Sequence, residues 1–412
     1  MEIRENYQQT TIGIIPSDWR FEPLKIFCKS SAFGPRFSGD LYSSNGNVAT
    51  LRTTDLDING KINYATMPTA QLDESKFKDH LLCENDFLIT RSGTCGIAAV
   101  FKSFEKPVLP GAFLIRFRFK DDIDVHFIKY YVNSKGGQRQ MEQISLGAVQ
   151  KNISGTSLLN TSFPFPSLSE QTAIATALND ADALITQLEK LVAKKRAIKQ
   201  GAMQELLKPK EGWVEKPISD ITSMMTNGFV GTIKSHYTDY ENGILYIQGY
   251  NVEENSFNFN GIKRVTVEFH KLHSKSCLQE GDLLTIQTGD IGVTTFVPKE
   301  LVGANCHALI ITRFIKGTAD SKFYSYYFNF SKGRSQLKEI ETGSTMKHIN
   351  VGDMIQLLIP YPPLVEQTRI AQILSDMDAE IEVLEKKLEK TKKIKQGMMQ
   401  ELLTGRIRLE HQ

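Results

Sequence analysis

The sequence predicts an α+β protein built from two duplicated α/β domains and two long helices that pair as an antiparallel coiled coil. Three observations carry this reading. A stretch at residues 164–207 recurs without a gap at 360–403, apolar residues in both copies alternate in steps of four and three, and short β-rich runs between turn-forming residues precede each copy.

The two copies keep a constant offset of 196 positions (Glu170 to Glu366, Gly201 to Gly397), with Gln171/Gln367, Asp180/Asp376 and Asp182/Asp378 between them. In the first copy the apolar positions are Ile174, Leu178, Ala181, Ile185, Leu188 and Val192. In the second they are Ile370, Leu374, Met377, Ile381, Leu384 and Leu388. This narrow stripe is a coiled-coil seam, and each copy offers the other a partner. Ser167 with Glu170 predicts a capping box at the first start, and Pro363 suits the first position of the second helix. At about 1.5 Å per residue, roughly forty residues span ~60 Å, too long for a helix inside an ordinary core. Only the link 208–212 separates the first helix from the next domain, so the second helix is expected to run back along the first, with a globular unit at each end and a pseudo-twofold axis between them.

Four segments follow: a first domain at 1–163, a central helix at 164–211, a second domain at 212–359 and a C-terminal helix at 360–412. In the first domain, strands are expected at 48–51, 86–90, 98–101 and 113–117 and a helix at 125–133, which makes it α+β. The second domain repeats its landmarks. Leu82 to Ile89 answers Leu278 to Thr285, each run is followed by a Gly-x-x-Gly turn (Gly93/Gly96 and Gly289/Gly292), and the segment from Gly147 to Ile153 answers that from Gly343 to Ile349. Most residues between the landmarks differ, so two similar scaffolds carry two different surfaces.

The chain has 412 residues, ample for two or three domains, and its formal charge of +2 excludes a strongly basic tail-driven binder. The five cysteines (Cys28, Cys83, Cys95, Cys277, Cys306) are few and unevenly spaced, which suits a reducing compartment better than a disulfide scaffold. No secretory segment opens the sequence and no apolar run approaches ~18 residues, so a soluble cytoplasmic protein with no membrane partner is expected.

Enzyme signatures are missing. The sequence holds no Gly-x-x-x-x-Gly-Lys-Ser/Thr loop, no Gly-x-Ser-x-Gly elbow and no His-Glu-x-x-His helix. Nor does it hold the Asn/Asp-Pro-Pro-Tyr/Phe stretch of adenine methyltransferases: Pro360-Tyr361-Pro362-Pro363 lacks the acidic or amide residue. No catalytic residue is therefore assigned. The Gly-x-x-Gly turns fit a tight turn more commonly than a phosphate cradle. His270, His273, Cys277, Cys306 and His307 match no standard zinc spacing and have no counterparts in the first half, so no metal site is expected. The basic runs Lys194-Lys195-Arg196 to Lys199 and Lys392-Lys393 to Lys395 are expected in the last helical turns, where cations complement the helix dipole, with direct DNA contact as the other reading.

More informative are polar residues beside the β landmarks. Arg36, Arg52, Arg91 and Lys151 in the first half stand against Lys234, Gln248, Gln287 and Lys347 in the second. Arginine bridges guanine O6 and N7 while glutamine bridges adenine N6 and N7, so an Arg/Gln exchange at a shared position suits two readers of different bases; surface drift between duplicated domains is the competing account.

The chain resembles the DNA specificity (S) subunit of type I restriction-modification systems over essentially its full length. The resemblance rests on the duplicated segment Pro-x-Pro-x-Leu-x-Glu-Gln-x-x-Ile-Ala, here starting at Pro164 and Pro360, and on the helix ending Gln-Gly-x-Met-Gln-Glu-Leu-Leu, here finishing at Leu207 and Leu403. It implies two target-recognition domains, each reading one half of an asymmetric bipartite site in double-stranded DNA, with the helix pair setting the unread gap. It also implies a chain that is non-catalytic and binds no cofactor itself. Its partners would be two modification subunits that bind AdoMet and methylate adenine, and restriction/translocase subunits that use ATP and Mg²⁺. A coiled-coil scaffold with two protein-binding domains and no DNA affinity is the alternative that the repeat alone leaves open.

Overall fold

The computed structural model describes residues 6–145, 152–344 and 347–409. The chain divides into two compact units, 1–189 with 386–412 and 190–385, so the division falls inside both long helices and each unit holds half of each.

In the first unit, strands β1 (Cys28–Phe33), β2 (Phe87–Thr90), β3 (Ala98–Val100) and β4 (Leu114–Phe119) form one antiparallel sheet in the order β1-β4-β2-β3. Alternation of side chains gives this sheet two buried faces. Phe87, Ile89, Ile115 and Phe117 enter one core beside helices α1 (Val125–Asn133) and α2 (Lys135–Ser145), while Leu88 and Leu114 enter another with Ala49, Leu51 and Val108. That second core is capped by a small mixed sheet in which Val48–Leu51 pairs with Val108–Pro110 in parallel and Thr69–Ala70 antiparallel. The long helix α3 (Leu168–Leu206) leaves this unit.

The second unit repeats the plan. Strands β5 (Thr222–Asn227), β6 (Leu283–Ile286), β7 (Thr294–Phe296) and β8 (Leu309–Phe314) take the order β5-β8-β6-β7, followed by helices α4 (Ser321–Asn329), α5 (Ser331–Glu339) and the long α6 (Leu364–Leu402). The predicted helix at 125–133 and the predicted strands all form, within one or two residues of their expected ends.

The duplicated signature is an anchor. Gln171, fully buried, accepts from the Asp124 amide at 2.9 Å and donates to the Pro166 carbonyl at 2.9 Å; Gln367 does the same with Asp320 and Pro362 at the same two distances. Glu170 accepts from Trp19 Nε1 at 3.2 Å and Glu366 from Trp213 Nε1 at 2.9 Å. Ile174/Ala175 and Ile370/Ala371 fill the two main cores. Each signature thus locks the start of a long helix to the domain preceding it.

Two expectations at the helix ends change. Ser167 Oγ accepts from the Glu170 amide at 3.3 Å, but the Glu170 carboxylate turns to Trp19 and Arg408, so only half of the capping box forms. Pro363 lies one residue before α6 and accepts from the Glu366 and Gln367 amides, which makes it the cap and not the first helical residue.

Within each unit the helix halves pair antiparallel. In the first, Lys392 meets Glu189 at 2.7 Å and Lys395 meets Asp182 at 2.6 Å; in the second, Lys195 meets Glu380 at 2.6 Å, Arg196 meets Glu385 at 2.6 Å, and Lys199 pairs with Asp378. The seam residues Ile174, Leu178, Leu188, Val192, Ile370, Leu374 and Ile381 are buried, while Ala181, Ile185, Met377, Leu384 and Leu388 are partly buried. The basic runs are not in the last turns, which contain no cation in either long helix. Lys199 and Lys395 continue the seam beyond Val192 and Leu388, and their Asp partners are also hydrogen-bonded by Tyr326 and Tyr130, each at 2.7 Å. Polar pairs at seam positions fix register at the expense of some apolar packing.

Beside this pair, burial lowers the pKa of Lys129 to about 8, with Lys395 adding to the effect and Asp182 opposing it. Its folded value is below the unfolded one of about 10.4, so the unfolded chain holds more protons between those values. Stability of the first unit should therefore rise from about pH 8 to about pH 10 and stay low below that window. Melting curves across this range should show the rise in the wild type and not in Lys129→Met. An identical slope in both would refute the assignment.

Candidate nucleic-acid interface

Both halves of the sequence place polar residues where strands end, and the two sheets decide what those residues can do. Arg91 follows β2 directly. Its amide donates to the Phe113 carbonyl at 2.9 Å and its own carbonyl accepts from the Ile153 amide at 2.9 Å, so the backbone is held on both sides. The guanidinium carbon lies 4.4 Å from the centre of the Phe33 ring, and Nε donates to Asn152 Oδ1 at 3.3 Å. An arginine held over an aromatic ring keeps N–H groups available for planar acceptors.

Gln287 occupies the matching place after β6, where its carbonyl accepts from the Ile349 amide at 3.0 Å. The Gly-x-x-Gly turns behind the two residues are tight turns, all four glycines having positive φ between 76° and 85°. A side chain at Gly96 would press its Cβ to 2.7 Å from that of Met141, so the turn is fixed by packing against α2.

Arg52 and Gln248 have local work. Arg52 binds Asp55 through Nε at 3.1 Å and Nη2 at 2.8 Å, and Nη2 also reaches the Thr66 carbonyl. Burial raises the Asp55 pKa, but the hydrogen bonds from Arg52 and Thr66 together with the Arg52 charge outweigh it and the net shift is downward. At the same turn of the second unit, Gln248 faces Asn251, whose Oδ1 accepts from the Gln248 amide at 3.1 Å. The Arg/Gln exchange there accompanies an Asp/Asn exchange: the ion pair of the first half is gone, and the Gln248 side chain instead accepts from Tyr237 Oη at 3.4 Å and donates to Tyr250 Oη at 3.0 Å.

Arg36 is exposed on the loop after β1, and Lys234 is exposed at the start of a short 3-10 turn, Lys234–His236, after β5. Lys347 is paired with Glu341 at 3.3 Å. Lys151 lies outside the described residues. The structure therefore gathers Arg91 and Gln287 at equivalent sheet ends and gives Arg52, Gln248 and Lys347 partners of their own. Sequence reasoning missed Phe33, which carries the Arg91 guanidinium, because the two lie 58 positions apart, are brought together by strand register and share no local pattern.

Among the described residues no cluster of three or more His, Cys, Asp or Glu could hold a metal ion. His270 Nδ1 lies 2.6 Å from Asn305 Oδ1, His307 Nδ1 lies 3.0 Å from Tyr246 Oη, and burial raises the pKa of the Cys306 thiol. These side chains stitch the small sheet of the second unit, in which Ile244–Ile247 pairs with Lys263–Val265 and Asn305–Cys306.

A family model described as "Type I restriction modification DNA specificity domain" matches residues 16–200 and again 210–393. The chain belongs to this family, and the double match coincides with the two structural copies. It is 26% identical to the putative type I restriction enzyme MjaX specificity subunit of Methanocaldococcus jannaschii, over 98% of this chain and 97% of that one. It is 24% identical to the type I restriction enzyme StySPI specificity subunit of Salmonella potsdam, over 68% of this chain and 64% of that one. The crystal structure of the type I restriction-modification S subunit from M. genitalium has the same fold, with a TM-score of 0.61 and 14% identity over 100% of this chain and 99% of that one. No helix among the described residues is long and apolar enough to cross a membrane.

Proposed function

We propose that this chain is the DNA-specificity subunit of a type I restriction-modification complex, reading one half of a bipartite asymmetric site in double-stranded DNA with each globular domain. The observation that supports this best is one scaffold present twice with different residues at its equivalent sheet ends, Arg91 and Gln287. A duplicated scaffold with identical ends would read a symmetric site; exchanged ends suit an asymmetric one.

The partners in this reading are two modification subunits that bind AdoMet and methylate adenine, and restriction subunits that use ATP and Mg²⁺. This chain contributes address and position, in the cytoplasm, and holds no cofactor. A methyltransferase must take its target base out of the stack, at a cost of a few kcal/mol, and a firmly docked specificity subunit helps to meet that cost.

The test is methylome sequencing of cells that carry the modification subunit with and without this chain. Adenine methylation at one split motif is expected only when both are present. Methyl transfer by this chain alone would overturn the non-catalytic reading. Absence of any sequence-dependent DNA retention by the assembled complex would favour the protein-binding scaffold instead.

A further inference from the structure

We propose that three register-matched positions at the end of each main sheet form the base-reading edge, Phe33–Arg91–Phe113 in the first unit selecting a guanine beside a thymine, and Asn227–Gln287–Ala308 in the second selecting adenine–thymine pairs. This rests on the DNA-specificity reading above and adds to it which residues read and which bases they take.

The correspondence comes from strand pairing. Phe33 pairs with Ile115 across β1 and β4, and Asn227 pairs with Ile310 across β5 and β8. Leu114 pairs with Thr90 and Leu309 with Ile286, so one step further Arg91 stands opposite Phe113 and Gln287 opposite Ala308. Directly opposed residues of an antiparallel pair project from the same face, and so do residues two apart on one strand. In the first unit the three positions therefore share one face of the sheet, just past the point where that face is covered by its core; in the second Asn227 and Gln287 do so, and Ala308 sits in the left-handed bend that leads into β8.

Neither edge is loose. A Cβ at Gly34, next to Phe33, would lie 2.0 Å from the Gly111 carbonyl oxygen, and one at Gly228, next to Asn227, would lie 2.6 Å from Cys306 Sγ. Backbone packs too closely behind both edges to admit any side chain there, which leaves the reading residues on a rigid support.

The exposed chemistry differs between the edges. In the first unit Phe33 and Phe113 are 44% and 54% exposed, and the Arg91 guanidinium lies on the Phe33 ring. Two part-exposed aromatic rings beside a braced guanidinium are costly in water and complementary to DNA: the guanidinium matches guanine O6 and N7, and a phenyl ring packs on a thymine methyl. The positive charge favours a polyanionic partner over an apolar one. In the second unit two amides replace Phe33 and Arg91, the type that pairs with adenine N6 and N7, and a methyl replaces Phe113. Ala308 has φ of 47°, in the left-handed region where glycine would be free of strain. A methyl group at a strained position points to a role for the methyl itself.

The experiment uses the chain purified with its modification subunits and a randomised double-stranded DNA library, with bound sequences read at fixed salt. The wild type should select a G·C pair in one half and A·T pairs in the other. Arg91→Gln with Phe33→Asn and Phe113→Ala should turn the G·C preference into A·T, with a discrimination change of roughly ten-fold or more, and leave the other half untouched. Arg91→Lys keeps the charge and loses the two-point fork, so guanine selection should relax while the salt dependence stays the same. Ala308→Gly relieves strain, so it should melt no lower than wild type and still lose selection at one pair of the second half. Should the triple variant fail to fold, Arg91→Lys and Ala308→Gly decide alone. Unchanged selection in both, or uniform weakening on all sequences, overturns the proposal while leaving the DNA-specificity reading intact. A wild-type complex that selects no sequence overturns that reading itself.

Discussion

Arg313→Ala should destabilise the second unit by about 3–5 kcal/mol, because it strands a buried carboxylate. Asp282 is 1% exposed, and Arg313 grips it with Nε and Nη2, both at 2.7 Å. Without the guanidinium, only the Gln279 amide at 2.8 Å is left to the carboxylate among these partners. The first unit has the same pair: Arg118 holds Asp86 at 2.7 and 3.1 Å, and the Cys83 amide supplies the backbone bond at 2.8 Å. Arg118→Ala should weaken that unit to a similar extent. The discriminating variant is Asp282→Asn combined with Arg313→Ala. The neutral amide still accepts from Gln279 and needs no cation, so urea denaturation should show much of the lost stability restored. A loss below about 1 kcal/mol in the single variant would place the pair with exposed ion pairs and refute this account.

Arg408→Ala should cost the first unit about 3 kcal/mol, since Glu170 is 3% exposed and loses both of its guanidinium bonds, at 2.7 and 2.8 Å. The same guanidinium reaches Asp18 at 3.0 and 2.7 Å and lies over the Trp19 ring, so residues just past α6 fasten the start of α3 to the first domain. Lys210 has the corresponding place in the second unit, 3.6 Å from Glu366 and over Trp213. The pH profile separates this from a packing defect. Hydrogen bonding to Arg408 is the main cause of the lowered Asp18 pKa. A carboxylate with a depressed folded value stabilises fully above its unfolded pKa of about 3.9 and loses that contribution as pH falls through the folded value. Wild type and variant should therefore differ at neutral pH and draw together in strong acid. A gap that stays constant down to the lowest pH would mean that lost packing, not charge, is responsible.

Buried partners such as Arg408 also explain why the duplicated signature is so legible in the sequence. Glu170, Gln171, Ile174 and Asp182 hold a helix start, a core and a helix register, and the second copy repeats each role with Glu366, Gln367, Ile370 and Asp378. Residues bound by several partners at once tolerate little change, whereas a residue at an open sheet end, such as Arg91 or Gln287, is held by its backbone and can differ freely.

By itself the sequence determined the duplication, the two long helices, the seam from Ile174 to Val192 and from Ile370 to Leu388, and the helix at Val125–Asn133. All of these are periodic or local signals, in which neighbours within a turn or a strand decide the conformation. Only the tertiary structure decided the rest. It sent the basic runs to acidic partners on the facing helix and drew the Glu170 carboxylate away from its capping box to Trp19 and Arg408. It also set the Phe33 ring against the Arg91 guanidinium. Each of those choices joins a charge or a ring to a partner that strand register or helix pairing brings near, and the sequence around either member has no period from which that partner can be read.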